Sequence, residues 1–170
     1  MKRVLIIFLA MILLVGCNGK NKKRYNPYKY NPTEQMTTIG FDIPFEQESG
    51  VMTIMVNLNG VVGVKAIYDS GCTSMLISKH ELQQLIEQGT VAESDLSSCY
   101  ITIASGETKK YPQVRLQVSL VDNNGKEHVT TVDAAVVDDL NASVLVGKAV
   151  FSGLSNRITM DDSQNILHFE

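Results

Sequence analysis

Two apolar-rich runs, residues 52–58 and 61–68, flank the dipeptide Asn59-Gly60. Both central positions of a tight hairpin turn need positive φ, which Asn and Gly accept, so the spacing predicts a β-hairpin. Its second strand runs through Ala66-Ile67-Tyr68 into Asp69-Ser70-Gly71-Cys72-Thr73-Ser74, and the apolar pair Met75-Leu76 follows. The period then changes. Leu82, Leu85 and Ile86 share one face of a helix predicted over residues 77–89. Ser78 and Glu81 have the spacing of a capping box, Ile77 and Leu82 that of a hydrophobic staple, and Gly89 suits the left-handed residue that ends a helix.

From residue 100 onward the texture is β. Residues 100–104 read as a strand, Ser105-Gly106 as a turn and residues 108–111 as a return strand. Val114, Leu116, Val118 and Leu120 alternate with polar neighbours, which puts one face of a strand on a core. A turn at 122–125 and a strand at 129–137 follow, and Asp138-Asp139-Leu140-Asn141 breaks the pattern. Val144-Leu145-Val146-Gly147 is an apolar strand end, residues 148–154 suit a short helical turn, and residues 158–160 and 166–169 form a last hairpin. Short strands with frequent turns and one clear helix predict an all-β barrel or sandwich.

The N-terminus is different. Lys2-Arg3 precede an apolar stretch over residues 4–15, too short to span a bilayer comfortably, and Leu14-Val15-Gly16-Cys17 closes it. This resembles the lipobox of bacterial lipoproteins, which implies cleavage after residue 16, lipid on Cys17, and an extracytoplasmic place in a bacterial cell envelope, periplasmic or at the outer membrane. Residues 18–34 hold five basic side chains and no aliphatic ones, so residues 17–35 read as a lipidated polar tether and 36–170 as the folded domain. That domain has seventeen acidic and eight basic residues, a net of −9, which argues against nucleic acid as a partner. Cys72 and Cys99 remain beyond the lipid site, either as a disulfide or as two buried thiols.

An aspartate at the end of an apolar strand fits two roles. Asp69-Ser70-Gly71 suits an ordinary Asx turn, with Gly71 easing the bend. The tripeptide alone favours that turn, but it also allows a carboxylate held for chemistry, because Ser70, Thr73 and Ser74 bring hydroxyls to a group that is costly to bury alone. The surrounding order decides between them. The hairpin leading into Ile67-Tyr68-Asp69-Ser70-Gly71, the helix after it, Ile103-Ala104-Ser105-Gly106, and Leu145-Val146-Gly147 together resemble the retropepsin-like aspartic proteases, in particular their bacterial single-lobe branch. The resemblance spans residues 50–169. It implies an all-β, retropepsin-like closed barrel with one or two short helices, and an aspartic endopeptidase acting on peptide or protein substrates. Asp69 would be catalytic, Ser70, Gly71 and Thr73 would support its loop, Ser105 and Gly106 would belong to a flap, and Leu145, Val146 and Gly147 would pack beside the loop. No metal and no cofactor are implied.

Two close carboxylates share one proton and so supply both base and acid. With no second Asp-Ser-Gly in the chain, the pair requires a homodimer in which Asp69 meets its symmetry mate. The alternative is a catalytically inactive lipoprotein of the same fold that binds a peptide or protein. It is motivated by Cys72, where the family commonly has alanine or serine, and by the missing second lobe. Other chemistries lack their residues. His80-Glu81-Leu82-Gln83-Gln84 has glutamine where a zinc-protease helix needs its second histidine, and His128, at the edge of a predicted strand, and His168, in one, have no spaced ligands. No Gly-x-Ser-x-Gly occurs.

Overall fold

A computed structural model describes residues 40–102 and 106–170. The signal stretch, Cys17, the tether, the start of the domain at residue 36 and Ser105 of the flap candidate lie outside the described residues.

The fold is all-β. Among the described residues, eleven strands form two sheets and one short α-helix is present. The predicted hairpin is β3 (Val51–Leu58) and β4 (Val62–Asp69), paired from Leu58↔Val62 to Thr53↔Ile67. Asn59 and Gly60 both take positive φ at its turn. Helix α1 (Lys79–Glu87) starts later than the periodicity predicts, because Met75–Ser78 is a strand, β5. The capping box is present: Ser78 Oγ accepts from the His80 N–H at 2.9 Å, and Glu81 Oε2 accepts from the Ser78 N–H at 2.9 Å.

All four residues of β5 are buried, because Met75 and Ile77 face the main core while Leu76 on the other face packs in a second apolar cluster. A strand covered on both faces shows no alternation and is hard to tell from the start of a helix. Two further strands also carry no sequence signal. They are β1 (Phe41–Pro44) and β2 (Glu46–Glu48), and β2 is wholly polar and exposed, held by its backbone pairing with β3. The strands expected at 108–111 and 114–120 are one continuous strand, β7 (Thr108–Val121). Pro112 is tolerated where β7 has β6 (Ser97–Thr102) as neighbour and the ladder with β8 (Glu127–Val137) has not yet begun.

The large sheet runs β2-β3-β4-β9-β5-β8-β7-β6, where β9 is Leu145–Gly147. An additional β3–β7 pairing brings it back on itself, so β3, β4, β9, β5, β8 and β7 make a ring of paired strands. The second sheet sets β11 (Ile166–Phe169) between β1 and β10 (Ile158–Asp161). A 3-10 helix at Lys148–Gly153 fills the expected helical turn after β9. Ile54, Leu58, Ala66, Met75, Leu85 and Phe151 lie in the main core. Each large aliphatic side chain buried there contributes roughly 1.5–3 kcal/mol. A smaller apolar cluster of Cys72, Leu76, Cys99, Ile101, Ala135 and Leu145 sits against the loop after β4.

Candidate active site

Strand β4 alternates buried and accessible residues, and its last member, Asp69, is half-buried at the sheet end. Ala66 and Tyr68 point into the core, where the Tyr68 ring stacks on Phe151 with centroids 6.5 Å apart. That anchoring fixes the direction in which the chain leaves the strand. It then turns sharply. The Asp69 carbonyl accepts from the Cys72 N–H at 3.0 Å, and Asp69 Oδ1 accepts from the Gly71 N–H at 2.8 Å. The carboxylate is thereby tied to its own loop as an Asx turn, and Oδ2 has no hydrogen-bond partner among the described residues. Both sequence readings of Asp-Ser-Gly are therefore compatible: the Asx turn is what orients the carboxylate.

Strand β9 brings the distant apolar-apolar-Gly segment beside this loop. It pairs parallel with β4 as Ile67↔Leu145, Tyr68↔Val146 and Asp69↔Gly147. The Gly147 N–H donates to the Ser74 carbonyl at 3.0 Å, so the loop is held from both ends. A Cβ at Gly147 would overlap the Cys72 carbonyl oxygen and lie 2.8 Å from the Cys72 Cβ. Gly147 has φ −80°, an ordinary value, so the position demands glycine for space and not for backbone freedom.

Cys72 and Cys99 are both buried thiols in the small apolar cluster, which resolves the choice the sequence left open. The Cys72 Sγ–H donates to the Ser74 carbonyl at 3.0 Å. Burial, with a further push from the Asp69 charge, raises this thiol to about 11, against a lowering by the Ser74 bond. At neutral pH it is an uncharged packing group and a poor nucleophile.

Ser70, Gly71 and Thr73 are exposed on the same turn as Asp69. Thr73 and Ser74 border a shallow hollow of about 380 Å³, whose other walls include Gln113, Thr131, Asp133 and Val150. Gly106, at φ 85°, lies in the connection between β6 and β7, next to which Thr102 and Thr108 join their hydroxyls at 2.8 Å. Leu145 and Val146 are buried with Gly147. Asp69, Ser70, Gly71, Thr73 and the Leu145–Gly147 strand are thus brought together, and Gly106 belongs to a separate hairpin. His80 stands at the start of α1 and His128 and His168 pair with Asp122 and Asp42, away from the loop.

Sequence reasoning passed over Ser74 as one hydroxyl among several. Its carbonyl accepts both the Gly147 N–H and the Cys72 thiol, and every residue has a carbonyl, so no residue-type signal could have marked it.

No protein-family model matches the sequence, and no curated protein matches it. Among solved structures, the chain is similar to a retropepsin-like aspartic protease from Rickettsia conorii. The identity is 20%, the TM-score 0.51, and the match covers 76% of this chain and 89% of that one. The retroviral protease-like domain of Ddi1 from Leishmania major matches more loosely, with 16% identity, a TM-score of 0.42, and coverage of 69% and 85%. The fold is retropepsin-like.

Proposed function

We propose that this chain is an aspartic endopeptidase that works as a homodimer, with Asp69 of each copy forming one half of a shared dyad. What carries the reading is the position of Asp69: it ends β4, is oriented by the Gly71 N–H, and pairs with Gly147 in a retropepsin-like fold. One chain supplies one such carboxylate, so two copies are needed for a base and an acid.

In the dimer the ionised Asp69 takes a proton from water, and the protonated mate hydrogen-bonds to the carbonyl oxygen of the scissile amide. The water oxygen adds to the carbonyl carbon, giving a tetrahedral intermediate. Its collapse breaks the C–N bond as a proton passes to the leaving nitrogen. Because the two carboxyls titrate as a pair, the working state is the singly protonated one. Gly71 holds one carboxylate oxygen in place, which leaves the other for water, and the segment at Ser105 and Gly106 closes over an extended peptide to exclude bulk solvent. The lipid on Cys17 tethers the enzyme to a bacterial envelope membrane on its extracytoplasmic side. Tethering raises the effective concentration of the two halves and favours their meeting.

The test is cleavage of a quenched-fluorescent peptide library by the full chain in detergent micelles at mildly acidic pH. Asp69→Asn should abolish turnover while the melting temperature stays within a degree or so, since the amide keeps the oxygen that accepts from Gly71. Equal turnover by wild type and variant would remove Asp69 from the chemistry. Peptide binding without cleavage by the wild type, in dimeric protein, would instead assign the chain to a binding module of the same fold.

A further inference from the structure

Strands β3 and β7 pair over two positions only, Asn57↔Ser119 and Leu58↔Val118, and then diverge. On β3 the next lateral neighbour is β2, which joins at Thr53, so among the described residues Ile54, Met55 and Val56 have β4 on one side and no strand on the other. On β7, Leu120 and Val121 pair with β8 alone. A notch of about 310 Å³ opens between the diverging strands. Ile43, Phe45, Ile54, Met55, Val56 and Val121 line it, and Met55 and Val121 are more than half exposed.

Two polar atoms sit in this apolar notch without partners among the described residues. Ser119 is 5% exposed, and its Oγ makes no hydrogen bond there; the Oδ1 of Asn57, its cross-strand partner, is equally orphaned. Buried polar atoms are nearly always satisfied, because leaving one unpaired costs stability. The backbone adds to the pattern. The Asn59 N–H donates to the Gln117 carbonyl, and peptide groups two residues apart on a strand point the same way, so the amide of Met55 faces the notch.

We propose that this notch docks an extended, uncharged apolar segment of a partner protein, added as a strand beside Ile54–Val56. A peptide unit offers an N–H for Asn57 Oδ1 and a carbonyl for the Ser119 hydroxyl, side by side, and a hydrocarbon offers neither. A charged ligand gains nothing, since Lys65 at the border already pairs with Glu46 and with Glu48. An alternating sequence would satisfy the backbone edge and set its apolar side chains on Phe45 and Val121, the usual division of labour in strand addition. Asp69 takes no part, so the inference stands apart from the proposed peptidase activity.

The probe is a fluorescein-labelled, capped peptide of alternating valine and threonine with a benzophenone side chain at its centre. It is added to the full chain in micelles, carrying Asp69→Asn so that nothing is cleaved. Cross-links should map to residues 53–57 or 119–121, and backbone N-methylation of the probe should abolish them. Ser119→Ala should weaken binding about fivefold and yet raise the melting temperature by about a degree, because it removes an orphaned hydroxyl along with its ligand contact. Absent binding, cross-links confined to residues 69–74 or 106–108, indifference to N-methylation, or a Ser119→Ala variant that is less stable would each overturn the proposal. So would self-association of the chain that Ser119→Ala dissolves, which would give the notch to a second copy.

Discussion

In the loop at residues 69–74 the Asp69 carboxylate, the Asp69 and Ser74 carbonyls and the Cys72 thiol all have partners, and no space remains beside Gly147 for one more carbon. In the notch between β3 and β7, two buried polar atoms have none among the described residues and about 310 Å³ stands open. Both are made by strands of one sheet. The difference is what closes them. A third strand, β9, is laid against the loop and locks its backbone, whereas β3 and β7 separate with no described strand between them. A locked loop fixes one carboxylate in one direction, which suits chemistry that tolerates little positional error. An unsaturated notch keeps hydrogen-bonding capacity for something that is not part of the chain.

The contrast can be broken most violently at Gly147. Gly147→Ala drives a methyl into the Cys72 backbone, where neither side can retreat without disrupting β4 or β9. A stability loss of about 3 kcal/mol or more is expected in urea denaturation, at the upper end for overpacking. A loss under about 0.5 kcal/mol would mean that the loop is no tighter than the notch.

A smaller effect appears on raising the pH. The Cys72 thiol is pushed up to about 11 by burial, so the folded chain keeps it neutral where an exposed thiol ionises. A raised value stabilises fully below the ordinary thiol range, and that contribution is lost as the pH climbs from there towards 11. Urea midpoints of the wild type should fall more steeply over this range than those of Cys72→Ala. Parallel curves would show that the loop does not shield its thiol.

The smallest effect belongs to the far end of β7, just past the notch, where polar groups are satisfied again. Asp122 Oδ2 meets His128 Nε2 at 2.9 Å, and Oδ1 accepts from the Asn124 and Lys126 N–H groups at 2.8 and 2.9 Å. The bond to His128, ahead of the backbone bonds, holds its carboxyl below the ordinary 3.8. The sign is opposite to that of Cys72. Stability from this carboxylate is present above the ordinary value and is lost as pH falls through the depressed one. Hydrogen exchange at residues 122–128 should quicken there in the wild type, and Asp122→Asn should remove that pH dependence. An unchanged profile would separate the turn from its carboxylate.

Much of this was legible in local sequence. The Asn59-Gly60 hairpin, the Ser78/Glu81 cap, the alternation from Val114 to Leu120 and the carboxylate at a glycine turn are each written within a few residues. The resemblance drawn from their order fits the fold, and Asp69, Gly71 and Gly147 do converge. Three strands escaped notice. β1 is short and held by a partner far along the chain, β2 is three exposed polar residues with no apolar alternation, and β5 is buried on both faces and so has no period to read. The notch was invisible for the same reason: neither Asn57 nor Ser119 is unusual in a strand until the two meet without a partner.

By itself the sequence determined that the chain is β-rich, where its hairpins and helix begin, and that Asp69 leaves a strand through a turn built for it. These follow from φ preferences and apolar periodicity, which act between near neighbours. Tertiary structure alone decided that Gly147 must lack a side chain, that Cys72 is a buried thiol, that the Ser74 carbonyl holds the loop shut, and that the sheet parts between β3 and β7. Those are matters of distance between segments remote in the chain, and a strand's own residues do not record which strand will lie beside it.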